Sequence, residues 1–232
     1  MDGGTLLTSG LYTVSDAVRL LRAYQVNSQK IRGWVAGYPR THAEPIIDNE
    51  VGFVEGRLAM GFTGLMEVRF IAYFTGQGVK TASIRHMAAE AKRMLKHEHP
   101  FATNAIFATD GKKIFAKSAE ETGDPKMYDL KDKNWAFYEI IARSLLRGVE
   151  FDPSGTARTW YPNKDIVPNI ILDPRVAFGQ PVIDESGVPT EALFDAFKAE
   201  GETYETVSHW YDVPVEHVQQ AVQFETEYAR LN

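Results

Sequence analysis

Ser28, Gln29, Lys30 and Arg32 place four polar side chains, two of them cationic, within little more than one helical turn. Lys and Arg neutralise phosphates, Arg also forks onto guanine, and Gln and Ser reach base edges, so this grouping suits the major groove of a DNA duplex. Gly33 and Ala36 share that side and add little bulk. Arg40 follows in a stretch broken by Pro39 and Pro45, where a backbone phosphate contact is expected.

Other residue groups bear on catalysis. His97 and His99 flank Glu98, but two imidazoles ahead of Pro100 have no further ligands at a familiar zinc spacing. Asp184 and Glu185, or Asp110, are candidate metal ligands of a nuclease, yet acids beside glycine form turns, and neighbours in a strand point to opposite faces. The chain has no nucleophile elbow, phosphate-binding loop, zinc-protease pair or dinucleotide fingerprint. No enzyme, metal or cofactor is therefore expected. An RNA-processing enzyme would require acidic residues converging in a cleft.

The elements that must position the polar cluster are two short helices. Thr13 and Asp16 form a capping-box start, and Ala17, Leu20, Leu21 and Tyr24 recur on one face. Asn27 can cap a second helix whose Ile31, Trp34 and Val35 face inward. Residues 38–48 read as a loop or short wing. Core helices are expected over residues 62–74 and 79–95, the second capped by Thr81 and carrying Lys80, Arg85, Lys92, Arg93 and Lys96 on its outer face. Residues 105–117 signal a hairpin around Asp110-Gly111. Residues 120–133 read as loop and 135–146 as helix, and a second hairpin surrounds Asp152 to Gly155. From Ile170 a proline- and glycine-punctuated extended run leads into three helices, introduced by Pro189, Thr203 and Pro214.

With 232 residues, the chain has room for one or two domains. The absence of cysteine excludes disulfides, thiolate zinc sites and a cysteine nucleophile. The beginning of the chain does not resemble a secretory leader and no stretch has the apolar length of a membrane span, so a cytoplasmic protein without a membrane partner is expected. The net charge of −6 is unevenly distributed. Residues 1–99 carry 12 Lys+Arg against 9 Asp+Glu, whereas residues 170–232 carry 3 against 12. Phosphate neutralisation dominates nucleic-acid affinity, so a duplex is tolerated by the first end and repelled by the last.

Two resemblances add to this reading. The run TVSDAVRLL, the helix ending IRGWVAGY and the stretch FTGLMEVRFIAYFTGQGVKTASIRHM are similar to the N-terminal half of MerR-type winged helix-turn-helix regulators. That likeness covers about ninety residues and implies a DNA-binding domain over 1–99, dimeric on operator double-stranded DNA. Ser28, Gln29, Lys30, Arg32 and Arg40 would be its contacts. The strings LDPRVAFGQPVI and GVPTEALFDAFKAEGETYETVSHWYDVPVEHVQQAVQFE resemble a small bacterial domain of unknown function found in VapB-like antitoxins, usually encoded beside a PIN-type ribonuclease toxin. This second likeness implies that residues 169–232 bind a cognate ribonuclease toxin, with Arg175, Phe178, Trp210 and Tyr211 as candidate contacts.

The expected fold is α+β and mainly helical: an N-terminal winged helix-turn-helix, a mixed section with two hairpins over 100–168, and a C-terminal three-helix module. The expected function is that of a type II antitoxin repressing its own operon. The competing reading is a stand-alone MerR-type regulator, with Phe137, Tyr138, Trp160 and Tyr161 lining a small-ligand pocket.

Overall fold

A computed structural model describes residues 9–132, 136–199, 201 and 203–229. Contacts divide the chain into two compact units, Tyr12–Ala157 and Met1–Leu11 with Arg158–Asn232. The expected connecting section of 100–168 is thereby shared between them. Among the described residues the chain is mixed α/β and mainly helical, with ten α-helices and two small sheets. No described helix is long and apolar enough to cross a membrane.

The first unit begins with strand β1 (Tyr12–Thr13) and helix α1 (Val14–Leu20). The capping box is formed: the Asp16 N–H donates to Thr13 Oγ1 at 3.2 Å, and the Thr13 N–H donates to Asp16 Oδ2 at 2.9 Å. Such a cap contributes about 1 kcal/mol. The link to the second helix contains one 3-10 turn, Arg22–Tyr24, and is redirected by Gln25 in the left-handed region (φ 52). Asn27 then caps helix α2 (Ser28–Ala36), its Oδ1 accepting from the Lys30 N–H at 2.9 Å. Ile31, Trp34 and Val35 are buried as their spacing requires.

The hairpin that follows lies downstream of the expected 38–48 stretch, which forms a loop closed by a single bridge between Tyr38 and Ala43. Strands β2 (Gly52–Val54) and β3 (Arg57–Met60) pair antiparallel, and β1 lies on the other edge of β3. Glu55 and Gly56 both have positive φ (47 and 74), as a two-residue type I′ connection demands.

Helix α3 (Phe62–Gly76) is buried on nearly every side, including Glu67 and Arg69. A buried cation needs partners. The Arg69 guanidinium donates to Tyr24 Oη at 3.0 Å and to the Leu145 carbonyl at 2.7 Å. Helix α4 (Thr81–Leu95) has no cap from its own segment, and Thr81 lies inside it. Asp124 supplies the cap instead, its Oδ2 accepting from the Lys80 N–H at 2.9 Å and the Ser83 hydroxyl at 2.8 Å. The cost of burying that carboxylate is outweighed by these bonds, so its pKa lies below the ordinary aspartate value.

Two expectations fail between residues 104 and 132. The first hairpin is absent: a 3-10 turn, Asn104–Phe107, leads into helix α5 (Thr109–Thr122). Gly111 keeps a negative φ inside the helix, so Asp110-Gly111 is no type I′ turn, and Asp110 lies in the first turn where a negative charge suits the helix dipole. Ile114, Phe115, Ser118 and Ala119 are buried at helical spacing, a pattern that outweighs the turn dipeptide. The expected loop of 120–133 is largely helical as well. Gly123 (φ 61) stops α5 and Pro125 starts helix α6 (Pro125–Asp132). Helix α7 (Ala136–Leu146) and strand β4 (Val149–Phe151) complete the unit, and Asp152 closes the next turn, its N–H donating to the Thr156 carbonyl at 2.9 Å.

The chain enters the second unit within strand β5 (Ala157–Trp160). Trp160 pairs with Leu172 of strand β6 (Ile170–Leu172), and β6 pairs antiparallel with β7 (Pro181–Ile183). Helices α8 (Thr190–Ala199), α9 (Tyr204–Tyr211) and α10 (Val215–Ala229) form the expected three-helix cluster, with Leu193, Val207, Val218 and Phe224 buried. Inside it the Thr190 hydroxyl donates to the buried Glu225 carboxylate, and Gln220 Oε1 accepts from the Asn169 N–H at 3.1 Å.

Candidate functional site

In the first unit, helix α2 turns Ser28, Gln29, Lys30 and Arg32 outward; all four are exposed. Arg40 is exposed on the following loop. Among the described residues Lys30, Arg32 and Arg40 form no ion pair, so their charges face solvent. Arg22 and Arg57, which sequence reasoning did not single out, are also exposed and make no such pair. The basic face of α4 is different. Arg85 donates to the Glu44 carbonyl at 3.0 Å, Lys92 pairs with Asp48 and Arg93 with Glu90. Lys117 also pairs with Glu90 at 2.8 Å, and these bonds hold the Glu90 carboxyl at about 2. The α4 cations are thus largely committed within the unit.

Gly33 is not part of the open face. It is buried, and a Cβ added there would stand 1.8 Å from the Tyr38 ring. Burial against α2 raises the Tyr38 phenol above its ordinary pKa, although the nearby Arg85 lowers it. Gly33→Ala would improve helix propensity by about 1 kcal/mol, but it must displace the ring. The expected net loss is about 1–2 kcal/mol in urea denaturation, overpacking outweighing propensity. The Tyr38 phenol should also return toward its ordinary pKa. An unchanged denaturation midpoint would contradict the observed packing.

In the second unit Arg175 is half-exposed and forks onto Asp173: Nε donates to Oδ1 at 2.8 Å and Nη2 contacts Oδ2. Asp173 is mostly buried, which alone would raise its pKa, but the bonds from Arg175 hold it below the ordinary value. Phe178 is 58% exposed and Trp210 60% exposed, while Tyr211 is half-buried. Ala177 and Phe178 both adopt left-handed backbone (φ 45 and 56) ahead of Gly179 (φ 83). Non-glycine residues rarely hold that conformation, at a cost of about 1–2 kcal/mol each. Here it is supported by the Leu11 N–H donating to the Phe178 carbonyl at 3.0 Å. An aromatic ring is left in solvent by a backbone under strain.

His97 bonds Thr156 at 3.1 Å, and no group of three or more metal-binding side chains occurs among the described residues. Asp184 accepts from the Tyr161 hydroxyl at 2.6 Å, and Asp184 and Glu185 are exposed. Trp160 and Tyr161 are buried, Tyr161 against Ile171 and Val182. The side chains of Phe137 and Tyr138 lie outside the described residues. A cavity beside Phe70, Phe101 and Phe151 measures about 20 Å³, room for one water and far below the roughly 300 Å³ of a small-ligand site. A polar open groove of about 710 Å³ borders Tyr24, Gln25, Lys30, Tyr73 and Gln77.

Comparison with known proteins gives one match within the second unit and two along most of the chain. Residues 170–224 match the model of DUF433, a protein family of unknown function, and include Arg175, Phe178, Trp210 and Tyr211. A Mycobacterium tuberculosis protein named "Putative antitoxin VapB45" is 26% identical over 228 residues, 91% of this chain and 92% of that protein. The crystal structure of Rv2018 from Mycobacterium tuberculosis superposes with a TM-score of 0.70 at 23% identity, covering 91% of this chain and 96% of that one. The chain thus shares the fold of that solved structure and is similar along most of its length to a protein named as an antitoxin.

Proposed function

We propose that the chain is the antitoxin of a type II toxin-antitoxin pair, with no catalytic activity and no cofactor. In this reading it neutralises a PIN-type ribonuclease by direct binding and, as a homodimer, represses its own operon. The strained presentation of Phe178 in an acidic C-terminal region carries the toxin-binding half. A fold that holds an aromatic ring in solvent against backbone preference is built for contact, and exposed aromatics are frequent binding anchors. A ribonuclease presents cationic surface to RNA, so an acidic region can steer onto that surface and cover it. Arg175 would add a guanidinium at the edge, exchanging Asp173 for a carboxylate of the partner.

The DNA-binding half is supported by the free charges of Lys30, Arg32 and Arg40, and by the order helix, turn, helix, hairpin. Helix α2 would enter the major groove, the β2–β3 hairpin would serve as the wing, and Arg22 and Arg57 would add phosphate contacts. Co-expression of the tagged chain with a PIN-type ribonuclease encoded beside it tests the proposal. The two are expected to co-purify and cell growth to be restored. A chain that purifies alone while the ribonuclease remains toxic would overturn the antitoxin reading.

A further inference from the structure

The first unit holds a titratable pair, a buried carboxylate and a partly buried imidazole, that the proposed DNA contacts do not use. Glu67, on the core helix α3, is 1% exposed, and its Oε2 lies 3.0 Å from His99 Nδ1. Glu67 Oε1 accepts from the Phe101 N–H at 3.4 Å. The other ring nitrogen of His99, Nε2, lies 3.3 Å from Glu50 Oε1, on the segment leading into the wing strand β2. The imidazole thus stands between a buried carboxylate and an exposed one. We infer that Glu67, His99 and Glu50 form a protonation-dependent tether that holds the root of the wing to the core of the first unit.

The chemistry follows from what each ring nitrogen faces. Burial raises the Glu67 pKa against the bonds from His99 and Phe101; with both carboxylates ionised each requires a donor, and only the imidazolium has two N–H groups. When the ring loses one proton, Glu67 keeps the donor, because a buried carboxylate without its partner is costly. Nε2 then turns a lone pair toward Glu50, which can leave for water. The segment entering β2 loses one of its anchors and keeps another, Asn49 Nδ2 donating to the Ala59 carbonyl at 2.8 Å. The surrounding charged groups do not replace the tether. Lys92 acts on Glu67 from α4 but is paired with Asp48, and His97 Nδ1 accepts from the His99 backbone N–H at 3.0 Å.

The bond to Glu67 raises the His99 pKa, against the opposing effect of burial, and Glu50 raises it further. A group whose pKa is raised on folding stabilises the fold fully below its unfolded value, about 6.5 for histidine. That contribution is lost as pH rises through the folded value. The wing should therefore be held fully below about pH 6.5 and loosened as pH rises through the raised His99 value. Its consequence for operator affinity rests on the DNA-binding reading; the tether does not.

Amide hydrogen exchange of Gly52–Val54 in the full chain, corrected for the intrinsic pH dependence of exchange, tests the tether alongside NMR titration of the His99 ring. Wild-type protection of β2 is expected to fall about tenfold across the His99 titration. In Glu50→Gln, whose amide can donate to a neutral ring, that fall should disappear, and in His99→Gln protection should be low at every pH. A wild-type profile that matches Glu50→Gln, or a His99 ring that titrates without any change in β2, overturns the tether. Operator affinity measured over the same pH range separates the two ideas: β2 changing without affinity counts against DNA binding by the wing, and affinity changing without β2 counts against the tether.

Discussion

Replacing Lys30 and Arg32 together by alanine should weaken operator binding by five- to tenfold and flatten its salt dependence. Each phosphate neutralised contributes about 0.9 to the slope of log K against log salt, so loss of two contacts should reduce that slope by about 1.8. The basis is that these side chains are exposed on α2 and make no ion pair among the described residues. Lys92 and Arg93 are the internal control, because they already pair with Asp48 and Glu90. Alanine at those two positions should leave the slope nearly unchanged. Fluorescence anisotropy across a salt series provides the measurement, and equal slopes for wild type and the Lys30/Arg32 variant would remove α2 as the reading helix.

Truncating Phe178 and Trp210 to alanine should weaken binding of the ribonuclease by at least thirtyfold for each ring. This is the effect of a central aromatic anchor worth about 2 kcal/mol, and it should appear mainly as faster dissociation. Folding stability should change by no more than about 0.5 kcal/mol, because both rings are more than half exposed and support little of the core. Phe197 provides the contrast: it is buried and stacks on Tyr204 at 4.4 Å, so its truncation should cost stability first. If Phe178→Ala and Trp210→Ala unfold the chain without changing partner affinity in the folded fraction, the rings are structural.

The sequence made local features legible where a single short-range rule governs them. The Thr13–Asp16 capping box, the Asn27 cap, the buried set Ile31, Trp34 and Val35, and the three C-terminal helices all depend on neighbours within one or two turns. Asp110-Gly111 carries a turn signal that the helical spacing of Ile114, Phe115, Ser118 and Ala119 overrides. The cap of α4 was invisible because its carboxylate, Asp124, comes from far along the chain. The Glu67–His99–Glu50 group joins three distant segments, and no spacing rule links them. The polar residues of α2 were legible as an outward face, with Gly33 the exception, since only the folded chain brings Tyr38 over it. For Phe178 and Trp210, composition favours a buried ring, and the left-handed backbone that exposes Phe178 has no mark in the sequence beyond Gly179 beside it.

The most direct test of the central claim, that separate parts of the chain hold separate partners, is a double dissociation by size-exclusion chromatography with light scattering. Wild-type chain, operator duplex and ribonuclease should elute as one ternary complex. The Lys30/Arg32 variant should keep the ribonuclease and lose the duplex, and the Phe178/Trp210 variant should keep the duplex and lose the ribonuclease. If either variant loses both partners while remaining folded, or if duplex and ribonuclease displace one another from the wild-type chain, the division of the molecule between two clients is contradicted.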